Sequence, residues 1–113
     1  MTEQHALRIA TAFLDAWTGQ DLDTAGQYLA TDFVFDGPIA HYTSAQEFLD
    51  RSRPFAARLK SWTGIAAFGD AEQALLLYDL VLVSGDLMRI ADHYTVSDAK
   101  IAREQIIWDT GQR

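Results

Sequence analysis

The residues best placed to do chemistry are carboxylates that fall on apolar strand faces. From Asp86 to Val96, alternation puts Met88, Ile90, Asp92, Tyr94 and Val96 on one face and Leu87, Arg89, Ala91, His93 and Thr95 on the other. Asp92 therefore shares the more apolar face. If that face turns inward, burial disfavours the charged form and raises the pKa, leaving a protonated acid that can donate a hydrogen bond to a substrate oxygen. With the other face inward, Asp92 is only a structural acceptor. Asp36 is the second candidate. It ends Phe33-Val34-Phe35-Asp36 and shares a face with Val34 while the phenylalanines point the other way. An Asp before Gly37-Pro38 is also ordinary turn chemistry. Two carboxylates in unequal surroundings, one ionised and one protonated, let a single apolar pocket run acid and base chemistry together.

Other chemistries lack their signatures. The chain has no G-x-G-x-x-G, P-loop, H-E-x-x-H or EF-hand loop, and no nucleophile elbow. Its three histidines, His5, His41 and His93, are isolated, so neither a metal nor another cofactor is expected. The absence of cysteine excludes disulfides and thiolate chemistry and fits a reducing compartment, and without asparagine there is no glycosylation sequon.

The elements that must position these groups follow from periodicity. Leu7, Ala10, Phe13, Leu14 and Trp17 share one helix face that ends near Gly19. Asp21 caps a short second helix through Tyr28 and Leu29, and residues 32–36 read as a strand closed by Gly37-Pro38. Ser44-x-x-Glu47 is a capping box opening a third helix, which Pro54 kinks or restarts. Thereafter the period changes to two, giving strands near 60–68, 72–83, 86–96 and 100–108 joined by short turns, an antiparallel meander. Helices first and strands afterwards predict an α+β fold with the helices covering one face of a twisted sheet.

At 113 residues with 49% hydrophobic and 22% charged composition, one domain over 1–113 is expected. Nine basic against 16 acidic residues give a net charge of −7, and residues 1–50 carry all the excess. Nucleic acid and anionic membranes, which need Lys and Arg, are poor partners for such a chain, and an acidic substrate is mildly disfavoured. The apolar runs fall far short of the roughly 20 residues that span a bilayer, and the start lacks a basic leader, so a cytoplasmic location is expected.

Three segments carry a family resemblance: Trp17-Thr18-Gly19-Gln20-Asp21-Leu22-Asp23, Leu29 to Pro38, and Ile90-Ala91-Asp92-His93-Tyr94 followed by a tight turn and Lys100-Ile101. In order and spacing the chain resembles the nuclear-transport-factor-2-like superfamily, in its ketosteroid-isomerase and SnoaL-like polyketide-cyclase branch. The resemblance implies a cone: a curved sheet of mixed or antiparallel strands around the N-terminal helices, with an internal apolar pocket. It also implies homodimerisation through the outer sheet face and an apolar small-molecule ligand. Carried over, Asp36 looks like the base that moves a proton alpha to a carbonyl, and Asp92 like the neutral acid of the oxyanion hole. The family's helix-1 tyrosine falls on Phe13, which cannot donate; losing one such donor costs about 3 kcal/mol. Tyr28, Tyr78 or Tyr94 could replace it. Epoxide hydrolysis is disfavoured, because Ile90 stands where an arginine is needed and Ile106 near the second carboxylate. Glu104 shares parity with Ile106 and Trp108, whose face should line the pocket, making it either a further buried acid or an exposed rim residue. Phe13, Trp17 and Trp108 are core or ligand-stacking groups, and His41, before the third helix, could reach the pocket mouth as the catalytic group of a polyketide cyclase or dehydratase. Without catalysis, the same fold would serve as a ligand-binding or dimerisation domain.

Overall fold

The computed structural model describes residues 5–109. Three helices, α1 (His5–Thr18), α2 (Leu22–Gln27) and α3 (Ala45–Ala56), accompany six strands: β1 (Leu29–Asp36), β2 (His41–Tyr42), β3 (Leu59–Gly69), β4 (Gln73–Leu82), β5 (Leu87–Ser97) and β6 (Lys100–Ile107). All six join one sheet in the order β2-β1-β6-β5-β4-β3. The meander β3 to β6 is antiparallel as its short turns require, and β1 runs parallel to β6, so the sheet is mixed. The α+β class holds. No helix among the described residues is long and apolar enough to cross a membrane.

The helices form where the sequence signals them. The first helix buries Ala6, Ala10, Phe13, Leu14 and Trp17 against the sheet. At its end Gln20 adopts a positive φ of 70°, and its side-chain amide donates to the carbonyls of Ala56 and Leu59, tying α1 to the end of α3 and the start of β3. Asp21 caps α2 by accepting from Thr24 N, and Ser44 Oγ caps α3 by accepting from Glu47 N at 3.0 Å. Pro54 does not restart α3, which runs unbroken from Ala45 to Ala56. It sits in the last turn, where its missing N–H removes one backbone bond just before the helix stops.

Two strand boundaries differ from the periodic reading. β1 begins at Leu29 rather than 32, because parallel pairing to Ile101 extends it, and His41-Tyr42 form a short strand against Phe35 and Asp36. The sheet curves. Opposite β4, the strand β3 carries two extra residues, Lys60 and Ile65, and the β5–β6 and β1–β6 ladders each shift register once. Such bulges bend a strand and increase its twist. The resulting concave face holds Leu76, Tyr78, Leu80, Ile90, Asp92, Tyr94, Ile101 and Glu104 around α1.

Candidate active site

Strand register assembles a polar cluster inside this apolar concavity. Asp92 on β5 lies opposite Leu76 of β4 and Ile106 of β6, two apolar neighbours on the inner face. The polar groups come in diagonally. Tyr78, paired with Ile90, reaches across from β4; Tyr94 stands two residues along β5; Glu104, paired with Tyr94, reaches across from β6. Tyr78 Oη and Tyr94 Oη both donate to Asp92 Oδ2, at 2.6 and 2.8 Å. Asp92 is 0% exposed and Glu104 4%.

The electrostatics follow from that placement. Burial pushes the pKa of Asp92 up to about 6, against the opposing pull of hydrogen bonds from Glu104, Tyr78 and Tyr94. Burial, reinforced by the charge of Asp92, holds Glu104 well above the usual carboxylate range. The tyrosines are likewise pushed up by burial and by Asp92, so both remain donors. Asp92 Oδ1 and Glu104 Oε1 receive no hydrogen bond from any conventional donor, although the two carboxyl groups lie within hydrogen-bonding reach of each other. One shared proton resolves this. The pair titrates as a unit, with apparent pKa values that belong to both groups together.

Glu104 also lines a cavity of about 400 Å³ between α1, α3 and the concave sheet face, near the small end of the range for ligand pockets. Phe13, Trp17, Phe48, Ile90, Ile106 and Trp108 supply much of its wall. Aromatic packing keeps that wall stiff: Phe48 contacts the rings of Phe13, Trp17, Phe33, Phe35 and Tyr42 at centroid distances of 5.1–6.3 Å.

Several residues singled out in the sequence meet here. Phe13, Trp17, Glu104 and Trp108 line the cavity, while Asp92 and Tyr94 lie behind Glu104. The others do not. Asp36 keeps the parity of Val34, on the face opposite the buried Phe33 and Phe35. There its 41% exposed side chain accepts from Arg103 at 3.4 Å and lies 3.2 Å from His41 Nδ1. Asp36 and His41 are both absent from the cavity wall, which corrects the expectation that two aspartates share one pocket. Tyr28 ends α2 half-buried and is also off the wall. His93 faces outward as expected, between Gln73 and Gln105.

The buried second acid is Glu104, not Asp36. Sequence reasoning also passed over Ser52, Arg51 and Arg58, which line the helix side of the cavity. The spacing of Ser52 four residues after Phe48 was the available signal, since it puts both on one face of α3.

A SnoaL-like domain model matches residues 10–104. The chain belongs to the SnoaL-like domain family. In fold it is a member of the nuclear-transport-factor-2-like superfamily. A solved structure from Kribbella flavida DSM 17836 is 38% identical, covers 94% of this chain and 88% of its own, and superposes with a TM-score of 0.87. Two more distant solved structures share the fold. An LEH-like epoxide hydrolase of M. tuberculosis is 18% identical over 96% of this chain and 86% of its own, with a TM-score of 0.82. A provisionally named ketosteroid isomerase of Kribbella flavida DSM 17836 is 16% identical over 98% and 82%, with a TM-score of 0.80. No curated protein matches the sequence.

Proposed function

We propose that this SnoaL-like chain is a small-molecule enzyme that moves a proton alpha to a carbonyl on an apolar substrate, as in an isomerase or polyketide cyclase, with Glu104 as the group that meets the substrate. The single observation that carries the reading is the buried Asp92–Glu104 pair, of which Glu104 lines an apolar cavity. The resting proton sits on Glu104, because Tyr78 and Tyr94 both donate to the Asp92 carboxylate; when that proton passes to Asp92, Glu104 becomes a carboxylate in a dry site and a stronger base than in water. It takes the proton from the carbon beside the carbonyl; the C–H bond breaks and its electron pair becomes the enolate. The same carboxyl then returns the proton to that carbon or to a conjugated one, and the pair is restored. Asp92 is a positioning residue, held by Tyr78 and Tyr94, that accepts and releases the shared proton.

The distant neighbours contribute the fold and no more, since at such low identity only the fold is shared. Epoxide hydrolysis fits poorly, because Ile90 and Ile106 occupy cavity positions beside Asp92 that carry no charge. The non-catalytic reading, a ligand-binding domain, is favoured by one fact: Asp36 and His41 lie off the cavity wall.

The homodimer belongs to the same proposal. On the outer sheet face Phe68 lies opposite Leu75, and Leu77, Ala91 and Ile107 follow one another across three strands. Phe68 and Ile107 are each 71% exposed, and an apolar stripe of this kind marks an interaction surface. Leu77→Glu is expected to convert a dimer to a monomer in sedimentation; a wild-type monomer at high micromolar concentration contradicts the assembly.

Deuterium uptake tests the chemistry. With an aryl alkyl ketone in D2O, the protein is expected to accelerate exchange at the carbon beside the carbonyl, read by NMR. Glu104→Gln and Asp92→Asn should each remove at least about a hundredfold of that acceleration, in line with loss of a positioned acid–base group. Binding without accelerated exchange establishes the binder instead.

A further inference from the structure

The helix side of the cavity carries polar groups that the proton-transfer chemistry leaves unused. Trp17 is buried, lines the cavity, and its Nε1–H has no acceptor; Ser52 lines the same wall and its buried Oγ is also unpartnered. A buried polar group left unpaired costs about 1–3 kcal/mol, so two on one wall need an explanation in ligand recognition. Trp17 comes from α1 and Ser52 from α3, packed through Phe48 and Phe55, whose rings lie 6.1 and 6.0 Å from that of Trp17. Both can donate.

The charge beside them has one sign. Arg51 and Arg58 line the cavity next to Ser52, and neither pairs with a carboxylate among the described residues. Arg58 instead lies 5.7 Å over the ring of Phe55, itself a lining residue. In a chain of net charge −7 these two cations are local exceptions, and they reverse at this wall the expectation that an acidic substrate is disfavoured. Two hydrogen-bond donors backed by two cations match a carboxylate better than a neutral oxygen.

We infer that the α1–α3 wall is a carboxylate subsite, with Trp17 Nε1 and Ser52 Oγ donating to the ligand's acid group and Arg51 and Arg58 neutralising it. The ligand is then a compact apolar keto acid: a carboxylate at the helix wall, an apolar body across the aromatic belt, and the carbonyl toward Glu104. This specificity rests on the proposed proton transfer for the carbonyl end only. The carboxylate end stands on its own residues.

Calorimetric titration with 4-oxo-4-phenylbutanoate and with its primary amide separates the two ends. The acid is expected to bind at least tenfold more tightly than the amide at low salt, with the preference shrinking as salt rises. Arg51→Gln with Arg58→Gln should cut the preference below threefold, and Ser52→Ala and Trp17→Phe should each weaken the acid alone. Asp36→Asn, off the cavity wall, should leave the preference intact. Equal affinities, a preference that survives the double arginine substitution, or no binding of either probe overturns the subsite. A preserved acid preference with no Glu104-dependent deuterium exchange leaves the subsite standing and removes the proposed reaction. Exchange without the preference does the reverse.

Discussion

Glu104→Gln offers the most informative change in stability, because it keeps the side chain's volume while removing one titration. Burial raises the folded-state pKa of Asp92 from 3.8 to about 6, and that of Glu104 well above 4.5. Groups raised in this way make the folded state hold more protons than the unfolded chain, so stability falls as pH rises. Asp92 accounts for the window from 3.8 to about 6. Its shift of about two units corresponds to about 3 kcal/mol, at about 1.4 kcal/mol per unit. Above pH 6 only Glu104 continues the loss. For as long as the folded protein keeps that proton, stability drops with rising pH by up to about 1.4 kcal/mol per pH unit. Against a typical total of 5–15 kcal/mol a slope of that size is large. Urea denaturation of wild type and Glu104→Gln at pH 6, 7 and 8, with unchanged m-values, measures it. The wild type should lose stability across that range and the variant should stay nearly flat. Parallel profiles would mean that Glu104 is not the proton-holding group.

Tyr78→Phe removes one of the two donors to Asp92 Oδ2. It should cost about 1.5–3 kcal/mol at pH 8, where Asp92 is ionised, and less at pH 5, as denaturation at the two pH values will show. The β5–β6 turn holds Asp98 and Ala99 at positive φ, 52° and 63°, without a glycine. Ala99→Gly should therefore stabilise the protein by about 1 kcal/mol, seen as a higher melting point. Asp36→Asn, on the outer side of β1, should leave ketone exchange within about threefold of wild type.

The fold was legible in the sequence wherever periodicity was long and unambiguous. The meander showed through strict alternation, and α3 through its Ser44 cap. The β1–β6 parallel pairing was not, since it joins segments far apart in the chain and no local pattern reports such contacts. The site divided along the same line. Asp92 was readable because one strand's alternation decides which way it faces. Glu104 was readable only to parity, because whether the end of β6 is covered depends on α3 and the aromatic belt closing over it. For Asp36, the family likeness pointed inward, while the turn beside it and the parity of Phe33 and Phe35 pointed outward. Parity won, because burying two phenylalanines outweighs any preference of one exposed aspartate.

The central claim is that the Asp92–Glu104 pair retains one proton at neutral pH beside an apolar cavity. Infrared difference spectroscopy of the carboxyl C=O stretch, with 13C-labelled side-chain carboxyls, tests it most directly. A protonated-carboxyl band should persist at pH 7 in the wild type and be lost in Glu104→Gln. A wild type with every carboxyl ionised at pH 7, or a band indifferent to that substitution, would contradict the account.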